Sequence, residues 1–94
     1  MKMNEKKKRG ARNAAKTKLK SVRIGSGLTQ VAVAESAGLN LRTYQSYEIG
    51  NRLIDNAGLN VILPICRTFN CSIEDVLEST ELIAELREYE KNRL

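Results

Sequence analysis

Few side chains in this sequence could carry out a reaction, and their types exclude more than they allow. There is no histidine, no glycine-rich phosphate loop, and no nucleophile with a base placed beside it. Cys66 and Cys71 are the only soft metal donors. Zinc takes four ligands and nothing else suitable lies near them, so the two thiols read as small buried apolar residues. The carboxylates towards the C-terminus are spread around helical turns, as on a solvated face. We therefore expect no enzyme, no cofactor and no metal. What remains is the chemistry of cationic side chains, which attract polyanions such as nucleic acid.

Those cations are unevenly placed. Residues 2–20 carry nine basic side chains against Glu5, a net of +8, whereas residues 72–94 carry three against seven acids, a net of −4. The whole chain is +5. A basic front end suits a polyanion, although a solvated tail has the same composition. No apolar run approaches the roughly 20 residues that span a bilayer, and no apolar stretch follows the basic start as in a secretory signal. Two cysteines make no disulfide framework, so a reducing cytoplasm and no membrane partner are expected.

Elements of helical period must position whatever binds. The chain has 94 residues, enough for one compact domain, with few aromatics and no tryptophan, so a core of Leu, Ile, Val and Ala on helices is expected. Residues 1–15 hold too little apolar surface to offset their ordering entropy and read as a disordered basic tail. A first helix is expected from about Asn13, with Ala15, Leu19 and Val22 on one face, ended by Gly25 and Gly27. Thr29 should cap a second helix that ends at Gly38, and Asn40 a third running from Leu41 to about Ile49 and closed by Gly50. The short glycine-containing interval between them is a tight turn between crossing helices. A fourth helix to about Phe69 would face inward with Leu59, Ile62, Leu63, Cys66 and Phe69. Pro64 should either kink it or delay its regular part. Ser72 should cap a fifth helix with Ile73, Val76 and Leu77 inward. From Ser79 a last amphipathic helix carries Leu82, Ile83, Leu86, Tyr89 and Leu94.

The stretch LKSVRIGSGLTQVAVAESAGLNLRTYQSYEIGNR, residues 19–52, resembles the helix-turn-helix of the lambda-repressor and Cro type, the Xre family. The likeness continues through SIEDVL and rests on an ordered set: Leu19, Arg23, Gly27-Leu28-Thr29-Gln30, Ala34, Gly38, Glu48 and Gly50. It implies an all-α fold: a five-helix lambda-repressor-like domain over residues 16–78, with an additional C-terminal helix over 79–94 and the basic disordered tail in front. Ala34 is small where two helices cross, and Gly38 permits positive φ in the turn. With Val33, Leu39, Tyr44 and Tyr47 turned to the core, Leu41, Arg42, Gln45 and Ser46 point outward, as on a helix that enters the major groove.

The resemblance also implies roles. Arg42 stands where relatives place base-reading side chains, and its guanidinium fork fits O6 and N7 of a guanine. Leu41 could touch only a thymine methyl; Gln45 and Ser46 are polar candidates one turn on. Gln30, Thr43, Asn51 and Arg52 are the expected phosphate contacts, Gln30 with the positive end of its helix. Many relatives carry lysine at the position of Asn51 and a polar residue at that of Ile49, which weakens the clamp here. Arg23 and Glu48 match a pair that forms an internal salt bridge in relatives, fixing the first helix against the third. The implied function is sequence-specific double-stranded DNA binding by a homodimeric transcriptional repressor of bacterial, phage or mobile-element origin. The alternatives are an antitoxin or interaction module holding a toxin partner, and a nonspecific binder using only the basic arm.

Overall fold

The computed structural model describes residues 17–93; the basic tail, the proposed helix start at Asn13, Ala15 and Leu94 lie outside them. Five α-helices follow one another: α1 (Lys18–Ser26), α2 (Gln30–Ala37), α3 (Leu41–Ile49), α4 (Leu59–Phe69) and α5 (Thr80–Asn92). Two 3-10 turns, Ile54–Asn56 and Ile73–Asp75, flank α4. There is no strand among the described residues.

Local chemistry sets the boundaries. Thr17 is extended and its hydroxyl accepts from the Lys20 amide, so α1 begins at Lys18. Thr29, Asn40 and Ser79 cap α2, α3 and α5 in the same way, each side-chain oxygen taking an amide of the first turn that has no helical partner. At the other ends Gly27, Gly38, Gly50 and Asn70 all take the left-handed conformation. In the turn between α2 and α3, the Leu39 amide reaches back 2.8 Å to the Ala34 carbonyl, which reverses the chain within three residues.

Packing follows the caps. The buried core joins Leu19 of α1, Val33, Ala34 and Ala37 of α2, Tyr44 and Tyr47 of α3, and Ile62, Ile65 and Cys66 of α4, with Ile54 and Val76 beside them. The broadest helix contact is α2 on α4, followed by α2 on α3. Ala34 is buried between its neighbours, where a larger residue would hold the axes apart.

Three expectations for the second half change. Helix α4 runs unbroken from Leu59 through Pro64; the proline removes only the bond to the carbonyl of Asn60, an exposed residue. Its inner face is Ile62, Ile65 and Cys66, while Leu59 and Leu63 face solvent at 61% and 46% exposure. The segment after Ser72 is one 3-10 turn rather than a full helix. Ser72 and Asp75 form a reciprocal capping box that starts it, the turn ends after Asp75, and Val76 and Leu77 are nonetheless buried.

The C-terminal helix is fixed at its root. The Asp55 carboxylate accepts from the amides of Glu78 (2.9 Å) and Ser79 (2.8 Å). Lys18 joins the start of α1 to the segment before α5, its amide donating to Glu78 Oε2 at 2.7 Å and its ammonium to the Glu74 carbonyl at 2.9 Å. Beyond that root only Ile83 of α5 is buried, and the Arg87–Glu74 ion pair (2.7 Å) lies at the surface.

Candidate nucleic-acid interface

Helix α3 presents two unlike faces. Tyr44, Tyr47 and Glu48 are buried, which is the 3–4 residue spacing of one helical stripe. On the opposite side Arg42 and Ile49 are exposed and Ser46 partly so; Leu41, at the edge, is 37% exposed. Arg42 uses its backbone amide to bond Asn40 Oδ1 at 2.8 Å, and its guanidinium has no protein partner among the described residues. The Ser46 hydroxyl donates to the Arg42 carbonyl at 3.0 Å, so it is left to act as an acceptor. Thr43 is half-buried, and Asn51 and Arg52 are exposed just past the helix.

Beneath this face lies a network centred on Glu48, which is 1% exposed. Arg23 of α1 sends Nε to Glu48 Oε2 at 2.5 Å and Nη2 to Oε1 at 3.3 Å. Tyr44 donates its hydroxyl to Oε2 at 2.6 Å, and Gln30 its Nε2 to Oε1 at 3.0 Å. Thr17 adds a bond from its hydroxyl to the Glu48 backbone carbonyl at 2.8 Å. The carboxylate therefore ties α1, α2 and α3 together near the C-terminal end of α3. Burial alone pushes its pKa up, but the bonds from Arg23, Tyr44 and Gln30 hold it below the ordinary carboxylate value, so it is charged at neutral pH. The Tyr44 hydroxyl is pushed well above its usual range by burial and by the Glu48 charge, and stays a donor.

Gln30 and Gln45 come together here, which the sequence alone did not suggest. Gln45 donates its Nε2 to Gln30 Oε1 at 3.0 Å. Gln30, expected at a phosphate, thus has its oxygen and one of its two amide hydrogens engaged within the protein. For the Glu48 network the signal in the sequence is the i, i+4 spacing of Tyr44 and Glu48, which puts a hydroxyl donor one turn from a carboxylate; no spacing points to the Gln30–Gln45 pair.

The charge of the described residues does not favour a polyanion by itself. They hold nine basic and ten acidic side chains, a net of −1, so the chain's positive charge belongs to residues 1–16, which carry +6. Within the described part the split persists: residues 17–71 are +3 and residues 72–93 are −4. The exposed face of α3 therefore belongs to the more basic part of the sequence.

Other chemistry is sparse. Cys66 and Cys71 are free thiols; burial, with Cys71 nearby, pushes the Cys66 thiol up to about 12, and burial raises that of Cys71. Such thiols stay protonated at neutral pH and are poor nucleophiles. Among the described residues no cluster of three or more His, Cys, Asp or Glu is placed to hold a metal, and no helix is long and apolar enough to cross a membrane.

A helix-turn-helix family model matches residues 19–76, which spans α1 through the second 3-10 turn. No curated protein and no solved structure matches the chain. The matched span holds the capped turn at Gly38, the outward face of α3 and the Glu48 carboxylate with Arg23, Gln30 and Tyr44. The chain belongs to the helix-turn-helix family of the lambda-repressor and Xre type, a family of DNA-binding transcription regulators rather than of enzymes.

Proposed function

We propose that the protein is a sequence-specific repressor that lays α3 in the major groove of double-stranded DNA. The observation that carries this reading is the exposed edge of α3, with Arg42 exposed and its guanidinium without a partner among the described residues, while the buried side of the same helix is locked to α1 and α2 through Glu48. A rigid helix with a free fork donor suits a guanine edge. Leu41, Gln45 and Ser46 complete the base-facing set. Thr43, Asn51 and Arg52 flank it for phosphate, together with the first turn of α2 and the remaining amide hydrogen of Gln30. Occupying an operator suffices to block transcription, which supports repression over activation. Free thiols suit a reducing cytoplasm, where that DNA lies.

Two-fold dimers read two half-sites about 34 Å apart. The seam we assign is on α5, where Leu82 and Tyr89 are exposed and Leu86 partly so; Ile83 packs into its own domain and drops out of the seam. The same apolar strip would serve a toxin in the antitoxin reading. Light scattering separates these: a dimer at micromolar concentration or on operator DNA supports the seam, and a strict monomer on DNA contradicts it. The function itself is tested by titrating selected against random duplexes. Preference for the selected site is expected, and equal affinity for both would leave only nonspecific binding.

A further inference from the structure

A carboxylate can only accept hydrogen bonds, and that restriction passes along the chain of amides beside Glu48. Gln30 must turn its Nε2 towards Glu48, which leaves Oε1 on the other side. Gln45 must then turn its own Nε2 towards that oxygen. Reversing Gln45 alone would set two amide oxygens against each other. Reversing both would set the Gln30 oxygen against the buried charge. The remaining N–H and the oxygen of Gln45 have no other partner among the described residues. Its side chain is half-buried on the edge of α3 that also carries Leu41, one turn before it.

We propose, on the basis of the DNA-reading function above, that Gln45 reads an adenine and that Glu48, acting through Gln30, is the positioning residue that fixes its amide. One donor and one acceptor side by side match the N7 acceptor and N6 donor of adenine, where Arg42, with donors only, matches guanine. The face of α3 then carries two readers of different base preference, one free and one preset by the core. The presetting has a use. An amide held by the protein before DNA arrives loses less freedom on binding than a free one.

The test uses the full chain with DNA sites obtained by in vitro selection, followed by affinities for the selected duplex and its single-base variants. Three proteins are compared with the wild type: Gln45→Ala, Gln30→Met and the double variant. Methionine keeps the length of Gln30 and leaves Glu48 its bonds from Arg23 and Tyr44. Gln45→Ala should lose discrimination at one adenine, about tenfold or more, and leave the guanine preference intact. Gln30→Met should weaken the preference at that same adenine, and the double variant should add nothing there. Loss of a phosphate contact by Gln30 would lower affinity for every duplex alike, so a base-specific change is the signature of the relay. An adenine preference that survives Gln45→Ala overturns Gln45 as the reader. One that survives Gln30→Met, with affinity falling equally on all duplexes, overturns the relay. A wild type that selects no motif overturns the DNA-reading function itself, and this inference with it.

Discussion

Replacing Arg23 by alanine should cost this domain a large part of its stability. The substitution leaves the Glu48 carboxylate in place, 1% exposed, and removes the guanidinium that bonds both its oxygens and also the Leu28 carbonyl at 3.0 Å. Breaking a buried pair by deleting one partner costs about 3–5 kcal/mol. Tyr44 and Gln30 still donate to the carboxylate, and the Arg23 side chain is 15% exposed, so the lower end applies, about 3 kcal/mol. A folded part of this size holds about 4–12 kcal/mol in total. For small domains each kcal/mol moves Tm by about 4–8 °C, which gives a fall of about 12–24 °C. Thermal melts followed by far-UV circular dichroism, supported by urea titrations, measure it. Arg87→Ala is the internal control: its pair with Glu74 is at the surface, and its Tm should stay at the wild-type value. An Arg23→Ala Tm within about 4 °C of wild type would refute the reasoning. A fully stable variant that no longer binds DNA would move Arg23 from the scaffold to the interface.

Other predictions rest on the same structure. Because folding lowers the Glu48 pKa, its contribution is present above the unfolded carboxylate value and is lost as pH falls through the folded one. Its carboxyl carbon, followed by NMR, should titrate below 4.5, and a midpoint at or above that value contradicts the network. Two glycines should respond in opposite directions to alanine. At Gly38 the backbone is left-handed (φ 73°) with nothing within 4 Å of an added Cβ, so the cost is purely conformational, about 1–2 kcal/mol. Gly25 is helical with equally open surroundings, so alanine should stabilise by up to about 1 kcal/mol. Melting temperatures that move in the same direction would contradict this. Deleting residues 1–12 removes six basic side chains and should flatten the salt dependence of DNA affinity; an unchanged slope removes the segment from the mechanism.

What could be read from the sequence was local. Thr29 and Asn40 carry side-chain oxygens that suit a helix start, and Gly38 and Gly50 have the backbone freedom that a left-handed end requires, so the motif from α2 to α3 follows from residue types and short spacings. The cap of α1 was not legible because Thr17 bonds both Lys20 and the distant Glu48 carbonyl, a contact across the fold that no local spacing announces. The inner face of α4 was misplaced because Leu59, Leu63 and Ile65 are equally apolar, and only the position of α2 decides which is covered. The segment after Ser72 carries a helix-start signal, a capping box, yet stops after one 3-10 turn, where Val76 and Leu77 enter the core and Asp55 takes the amides of Glu78 and Ser79. In the site, Gln30 and Gln45 bond directly from two different helices, with Glu48 setting the orientation of Gln30. No periodicity within either helix encodes it.

The central claim is that α3 reads DNA bases and that the rest of the domain holds it still. Selection of bound DNA by the wild type and by Arg42→Ala tests this most directly, since Arg42 is exposed and its side chain supports nothing in the fold among the described residues. The wild type should converge on one motif. Arg42→Ala should keep its melting temperature and lose discrimination at one guanine, by about 1–3 kcal/mol. A random pool after selection, or an Arg42→Ala motif identical to the wild type's, would contradict the account.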